Sequence, residues 1–261
     1  MQLALIPPTP LLRYTRMTHY QLMLPQYVQD IEYSSMYNNL CSNRSQYVIL
    51  DNGANEGHNV TITPYITMAV RFGADEIVAP DAIGNQEGTI WLTRKFMKLY
   101  KVHRQKARVK VGIVAAGRDY KESAYTAQQL IEEFPTEVKT VFIPRSLVTQ
   151  VHPTSRIEVA KLIHDQYPDA QIHMLGSSHY WIREIATIRE ECPYVRGLDT
   201  SAPFNYAYAG RRIDDGSLVQ RPPNYFNLRM ANRLDLVEYN IKRMIQWAGD
   251  DERAKTSSSK V

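Results

Sequence analysis

The sequence predicts an α/β protein, a single-domain (β/α)8 TIM-like barrel. Apolar runs of strand length recur along its 261 residues, stretches of helical period lie between most of them, and no linker marks a domain boundary. Continuous apolar strands that alternate with amphipathic helices indicate a parallel sheet covered on both faces. Seven or eight such units in one chain favour a barrel, with a doubly wound open sheet as the alternative.

Seven predicted strands each end in polar or turn-forming residues. They are LALIPP (3–8), YVILDNG (47–53), EIVAPD (76–81), VKVGIVAAG (109–117), TVFIPR (140–145), QIHMLGSS (171–178) and YVRGLDTSAP (194–203). NYFNL (224–228) is the candidate for the eighth strand, because a long amphipathic segment follows it at 231–248. We expect one barrel domain over residues 1–250 and a flexible polar tail over 251–261.

Helical periodicity is clearest in three segments between these strands. Apolar residues recur at i, i+3, i+4 and i+7 in SAYTAQQLIEEF (123–134), SRIEVAKLIHDQY (155–167) and YWIREIATIREE (180–191). The least regular region is 204–226, which is rich in aromatic residues and arginines. A loop this long within a compact domain is typically functional or disordered.

Charge and the placement of cysteine and histidine indicate which cofactors and which cellular compartment to expect. The net charge of +4 permits an anionic partner without requiring one. Cys41 and Cys192 lie far apart, and the seven histidines form no HExxH pair. We therefore expect no metal, no cofactor and no disulfide framework, which suits the cytoplasm, or a host's cytoplasm if the gene is carried by a phage. We expect neither a signal peptide nor a membrane span, because the first residues lack a basic region and no apolar run approaches about 20 residues.

Three predicted strands end at an aspartate: Asp51, Asp81 and Asp199. The active site of a parallel barrel lies at the carboxyl ends of its strands, so these side chains should converge. A single aspartate at a strand end is more often a helix cap or a turn former. Three at equivalent positions favour a site, and paired carboxylates suit glycosyl transfer, one as nucleophile and one as general acid and base.

Motifs at five of these strand ends resemble those of the tRNA-guanine transglycosylases. ILDNGANE is similar to the family's LDSGGFQ, IVAPD to MAFDE, GIVAAG to GIVQGG, HMLGSS to GGLAVGE, and GLDTSAP to FDCVLPTR. The order and rough spacing of the motifs are kept over residues 3–215, which is most of the chain. Each motif alone is weakly specific, and five in order are moderately so.

The resemblance implies a base exchange through a covalent glycosyl-enzyme intermediate. Asp199 would be the nucleophile on C1′, Asp51 the general acid and base, and Asp81 the group that binds the Watson–Crick edge of guanine or a deazaguanine. The other base-binding residues that it implies are Asn52, Gly53, Ala115, Gly117, Leu175, Gly176 and Ser177.

Departures from the family pattern point to a particular branch of it. Ala115 stands where the family has a base-binding glutamine, Asn55 stands where it has a stacking phenylalanine, and the cysteines of its zinc subdomain are missing. With these departures, the sequence most resembles the compact phage-type DNA-guanine transglycosylases, which insert 7-deazaguanines such as preQ0-derived bases into DNA. The implied partners are DNA, with tRNA less favoured, and a free 7-deazaguanine base. A homodimer or a partner subunit that supplies missing contacts is left open.

The 204–226 loop is the predicted nucleic-acid surface. Aromatic rings interleaved with arginines suit base stacking and phosphate neutralisation. The predicted contacts are Tyr206, Tyr208, Arg211, Arg212 and Arg221. The alternative for this loop is a lid that packs its aromatic rings inward. The alternatives for the protein are a tRNA-guanine transglycosylase, a base-excising N-glycosidase, and a non-catalytic nucleic-acid-binding barrel that partners a larger enzyme.

Overall fold

The computed structural model describes residues 1–103, 109–147, 152, 154–178 and 180–249. Eight parallel strands close into a barrel in chain order, which confirms the predicted (β/α)8 TIM-like fold. The strands are β1 (Gln2–Leu5), β2 (Tyr20–Met23), β3 (Tyr47–Leu50), β4 (Glu76–Val78), β5 (Lys110–Val114), β6 (Val138–Pro144), β7 (Gln171–Leu175) and β8 (Val195–Thr200). The predicted tail at 251–261 lies outside the described residues.

Helices alternate with the strands and cover the outside of the barrel. They are α1 (Ile31–Ser42), α2 (Ile62–Phe72), α3 (Gln86–His103), α4 (Tyr120–Glu133), α5 (Ser155–Gln166), α6 (Trp181–Glu191), α7 (Ala202–Tyr208) and α8 (Leu234–Ala248). Short 3-10 helices occupy Thr9–Met17, Pro25–Tyr27, Ala54–Glu56, Tyr225–Asn227 and Ala231–Arg233. None of the described helices combines the length and the apolarity needed to cross a bilayer.

Pairing between the first and last strands closes the sheet. Gln2 lies opposite Gly197, and Ala4 lies opposite Asp199. All neighbouring pairs are parallel, from β1 and β2 round to β7 and β8. The carboxyl ends of all the strands therefore share one rim, and the loops that follow them meet there.

The eighth strand is not where the sequence pattern placed it. NYFNL forms a 3-10 turn at Tyr225–Asn227, whereas β2 is the four-residue YQLM segment at Tyr20–Met23. Gln21 interrupts the apolar run, although β2 is fully buried. The amide of Gln21 is accommodated because its Nε2 donates to the carbonyls of Thr15 and Thr18 at 2.9 and 2.7 Å.

A charged layer lies inside the barrel, near the amino-terminal ends of the strands. Arg196 on β8 and Glu76 on β4 form an ion pair with 2.7 Å between Nη2 and Oε2. Tyr47 also donates to Glu76 Oε2, at 3.1 Å, and Arg196 Nε donates to the hydroxyl of Tyr20 at 3.0 Å. Buried charges require such partners, and these partners lie on four different strands.

Gly197 makes room for this layer. A Cβ atom at position 197 would lie 2.5 Å from Cε1 of Tyr20 and 3.2 Å from the carbonyl oxygen of Gln2. The tyrosine ring therefore crosses the barrel directly over a glycine, and any larger residue would displace it.

We predict that Gly197→Ala destabilises the fold by about 1–3 kcal/mol, the usual cost of overpacking a core. A urea-unfolding double-mutant cycle with Tyr20→Ala measures it. If the clash is with the Tyr20 ring, Gly197→Ala costs less in the Tyr20→Ala background than in the parent. Strictly additive free energies would contradict this explanation.

Candidate functional site

A pocket opens at the carboxyl rim of the barrel. Its cavity volume is about 110 Å3, and about 840 Å3 is empty when the open mouth is included. Eight of the residues predicted from the sequence line it: Asp51, Asn52, Asp81, Leu175, Gly176, Ser177, Asp199 and Arg221. The three strand-end aspartates therefore meet in one place.

Asp199, which lies in β8 near its carboxyl end, is buried and is held through one oxygen. His173 Nε2 lies 3.1 Å from Oδ1, and the backbone N–H of Gly176 donates to the same oxygen at 2.8 Å. Among the described residues, none makes a hydrogen bond to Oδ2. One oxygen is thus fixed by the protein, and the other is left for a molecule in the pocket.

The tautomer of His173 follows from its partners. The carboxylate oxygen Oδ1 of Asp199 only accepts, so Nε2 of His173 is the donor and Nδ1 is the acceptor. The hydroxyl of Tyr20 therefore donates to Nδ1 at 2.8 Å, and its oxygen accepts from Arg196, which can only donate. Burial lowers the pKa of His173, so the ring is neutral and carries its one proton on Nε2. That proton is donated to Asp199. The charged layer of the barrel therefore sets the orientation of the carboxylate at the rim.

Asp51 is in a different environment. It follows β3, and its Oδ2 accepts the backbone N–H of Gly53 at 3.0 Å. Burial is the largest influence on its ionisation, the charge of Glu56 follows, and Asp199 and Asp81 add to it. Together they raise the pKa of Asp51 to about 8, so it carries a proton at neutral pH.

Asp81 is held by Asn52. The amide Nδ2 of Asn52 donates to Asp81 Oδ1 at 2.8 Å and to the carbonyl of Ala79 at 3.0 Å. Burial raises the pKa of Asp81 to about 6, and the bond from Asn52 opposes that rise. At neutral pH Asp81 is therefore an acceptor of hydrogen bonds within the pocket.

A buried ion pair fixes the loop that follows β7. Arg156 on α5 donates from Nη1 to the carbonyl of Gly176 at 2.7 Å and pairs with Glu184 on α6 at 3.1 Å. Glu184 Oε2 in turn accepts the N–H of Ser178 at 2.8 Å. Gly176 has a φ of +65°, which favours glycine at this turn. Gly176 is thus held at both its N–H, which donates to Asp199, and its carbonyl, which accepts from Arg156.

Three of the predicted base-binding residues lie outside the pocket lining. Gly53 has a φ of +75° and forms the turn that brings its N–H to Asp51. Ala115 is buried, and its N–H donates to the carbonyl of Phe142. A Cβ at Gly117 would lie 2.5 Å from the backbone nitrogen of Ser123, so this glycine permits close packing on α4. Backbone packing accounts for these residues, and a direct contact of any of them with a base stays a prediction.

The 204–226 loop is more ordered than its sequence suggests, because α7 covers its start. Tyr206 is buried, its hydroxyl donates to the carbonyl of Ser217, and its ring meets Trp181 edge-on. Tyr206 is therefore not exposed for base stacking in this structure, and its contact with nucleic acid stays a prediction. Phe204 and Tyr225 are buried as well, as in the inward-packed alternative for this loop.

The other predicted contacts of that loop remain accessible. Tyr208 is 43% exposed, and Arg211 and Arg212 pair at the surface with Asp215 and Asp214. None of these three lines the pocket. Arg221 does line it, and its guanidinium packs over the rings of Tyr225 and Phe226 at 4.4 and 4.7 Å.

Sequence patterns missed four residues of the site and its support: Tyr20, Arg145, Arg156 and His173. A histidine within the apolar run QIHML was the available signal for His173. Arg145, the last residue of TVFIPR, stands at a strand end just as the aspartates do. Nothing in the local sequence marks Tyr20 or Arg156 as part of a site.

Comparison with known proteins bears on the fold. No family model matches the sequence, and a search of curated proteins finds no match. Among solved structures, the YdjI aldolase from Escherichia coli K12 is similar, with a TM-score of 0.55 and 14% identity over 90% of this chain and 82% of that chain. At that identity the likeness shows the barrel fold alone.

The side chains of the described ranges offer no cluster of metal ligands. No group of three or more His, Cys, Asp or Glu side chains among them is arranged to hold a metal ion. The expectation that the protein uses no metal and no cofactor stays a prediction.

We predict that the unfolding free energy falls between pH 6 and 8, because the folded state keeps a proton on Asp51 that the unfolded chain has released above pH ~4. The slope contributed by Asp51 is up to about 1.4 kcal/mol per pH unit. Asp51→Asn should remove that contribution, as measured by urea unfolding at pH 6, 7 and 8. Exposed Asp169→Asn is the control, and equal slopes in Asp51→Asn and the parent would contradict the prediction.

A second prediction concerns His173. Nitrogen-15 NMR of the labelled protein should show Nε2 protonated and Nδ1 unprotonated near neutral pH. Tyr20→Phe removes the donor to Nδ1 and should shift the two nitrogen signals toward a tautomer mixture. A parent protein with Nδ1 protonated would overturn the assigned direction of these hydrogen bonds.

Proposed function

We propose that this protein is a base-exchange transglycosylase that replaces guanine in DNA with a 7-deazaguanine through a glycosyl intermediate on Asp199. One observation carries the proposal: two carboxyl groups line one pocket in opposite environments. Asp199 is held by two N–H donors on Oδ1, and Asp51 carries a proton at neutral pH. Environments that separate two carboxyl groups in this way assign them different roles.

In the first half-reaction, Oδ2 of Asp199 attacks C1′ of the target deoxyribose. The C1′–N9 bond breaks, its electron pair leaves with guanine, and Asp51 donates its proton to the leaving base. His173 and Gly176 keep Oδ1 in place, so Oδ2 meets the sugar with little freedom to rotate. Asp51 is then an anion, and guanine leaves the pocket.

In the second half-reaction, the ionised Asp51 removes the N9 proton of the incoming 7-deazaguanine. N9 attacks C1′, the ester to Asp199 breaks, and Asp51 is again protonated. One glycosidic bond replaces another, so the exchange needs no nucleoside triphosphate. Both half-reactions use the same two side chains, as microscopic reversibility requires.

Recognition of the base follows from Asp81. An ionised carboxylate only accepts hydrogen bonds, and the Watson–Crick edge of guanine offers N1–H and the 2-amino group as donors. Asn52 fixes one oxygen of Asp81, which supports a defined orientation of the base. The pocket also has apolar walls at Ile6, Leu24 and Val114, which suit a planar ring.

The choice of DNA rests on the motif resemblance and its departures. The target base has to leave its stack to enter a pocket at the barrel rim, so a flipped or single-stranded nucleotide is implied. The name of the YdjI protein states an aldolase activity for that enzyme, and an aldolase of the Schiff-base class has less support here. The titratable groups that line the pocket in the described chain are carboxylates and arginines, and a Schiff base requires a lysine.

The direct test is incubation with a guanine-containing oligodeoxynucleotide and labelled preQ0, followed by mass spectrometry of the nucleosides and of free guanine. We expect label in the DNA and an equal amount of guanine released. Asp199→Asn should lose both, by a factor of about 10³ or more, and Asp169→Asn should retain both. Guanine release without incorporation would support the N-glycosidase alternative, and DNA binding without either product would support the non-catalytic barrel.

The pH dependence of guanine release distinguishes the role of Asp51. In a single turnover without free base, release should fall as the pH rises above about 8, because the proton donor is lost. Asp51→Asn should be slower by a factor of about 10²–10⁴ and nearly independent of pH in this range. A rate that keeps rising through pH 9 in the parent protein would contradict the assignment.

A further inference from the structure

Arg145 is a cation of the pocket with no carboxylate partner in the described part of the chain. It follows β6, lines the pocket and is half-buried, and its side chain packs beside Gly176. Within the described ranges no carboxylate oxygen lies within ion-pairing distance of it, whereas other arginines of the site, Arg156 and Arg221, have acidic partners. A guanidinium carries five donors, so Arg145 presents an unused binding group to whatever enters.

Arg221 is the second cation of the pocket, and it approaches from another side. Its Nη1 lies 3.2 Å from Oε1 of Glu56 in the turn after β3. Strands β3 and β6 are separated in the ring by β4 and β5, so Arg221 and Arg145 flank the pocket. The guanidinium of Arg221 has N–H donors left after its contact with Glu56, and it packs over the rings of Tyr225 and Phe226.

Electrostatics explains why a pocket of carboxylates needs these cations. A nucleotide inside a DNA chain brings a phosphodiester on each side of its sugar, and both are negative. Asp81 and Asp199 would repel them at short range, in a site where the interior weakens screening. An arginine at each side offsets that repulsion and binds phosphate oxygens with the geometry that guanidinium prefers.

We propose that Arg145 and Arg221 bind the two phosphodiesters that flank the target nucleotide, so that the site accepts a polynucleotide and discriminates against a free nucleoside. The inference rests on the proposed function for the position of the sugar at Asp199. Arg145, beside Gly176 and hence beside Asp199, contacts one phosphate, and Arg221 contacts the other.

The test pairs protein variants with neutralised phosphates. Fluorescent single-stranded oligodeoxynucleotides with one guanine carry a methylphosphonate either 5′ or 3′ of it, and binding is measured by anisotropy. In the parent protein each replacement should weaken binding about tenfold. In Arg145→Gln one of the two replacements should lose its effect, and in Arg221→Gln the other should.

Controls separate charge from folding. Arg145→Lys keeps the charge and should retain part of the affinity, and Arg44→Gln removes an exposed arginine before β3, far from the rim. Thermal unfolding checks that each variant is folded. The slope of log K against log salt is negative; it should become less negative by about 0.7 for each arginine removed and should be unchanged in Arg44→Gln. Equal methylphosphonate effects in the parent, Arg145→Gln and Arg221→Gln would overturn the proposal.

Measurements of base exchange distinguish a failure of the phosphate-binding role from a failure of the transglycosylase function. If DNA exchanges its base and Arg145→Gln raises KM with little change in kcat, the transglycosylase function and the phosphate-binding role are both supported. If free deoxyguanosine exchanges with the same kcat/KM as DNA, the phosphate role fails and the transglycosylase survives. If no substrate exchanges but the methylphosphonate pattern appears, the arginines bind polynucleotide in a protein with another activity.

Discussion

The arrangement of the pocket depends on the hydrogen bonds that hold Oδ1 of Asp199. They begin at the buried pair of Glu76 and Arg196, pass through the hydroxyl of Tyr20 to His173, and end at the carboxylate. Each step has one donor and one acceptor, because arginine can only donate and the neutral imidazole carries one proton. Buried charges that contribute little to stability can in this way define the position of a reactive group.

Asp51 provides the contrast that gives the pocket its chemistry. Both carboxyl groups are buried, but their neighbours differ. Asp199 is bound by two N–H donors, whereas Asp51 has a single backbone donor and three acidic neighbours. A carboxyl group in such surroundings keeps its proton into the neutral range, as a general acid must. The difference between the two carboxyl groups is local and does not depend on their being different residues.

Much of the barrel is readable from sequence because its signals are local. Strand-length apolar runs that end in an aspartate or a small residue place Asp51, Asp81 and Asp199 at one rim, since parallel strands share their carboxyl ends. The short strand β2 escapes notice because Gln21 breaks its pattern, and only the fold supplies the carbonyls that satisfy that amide.

The residues that hold the site in place could not be predicted from the sequence, because they interact in pairs that lie far apart along the chain. Tyr20 and His173 are 153 residues apart in sequence, and Arg196 and Glu76 are 120 apart. Tyr206 shows a second limit of the sequence: an aromatic residue in a loop rich in arginines can face either way, and packing against Trp181 buries this one. Composition reports which groups are present and does not report which way they face.

In the proposed mechanism, Asp199 forms a covalent bond to the sugar. The most direct measurement is mass spectrometry of the protein after reaction with a guanine-containing oligodeoxynucleotide in the absence of free base, followed by peptide mapping of the adduct. We predict an adduct between the protein and the DNA that has lost guanine, on the peptide that contains Asp199, and we predict that it disappears when 7-deazaguanine is added. An adduct on another residue, or guanine release with no adduct at any time, would contradict it.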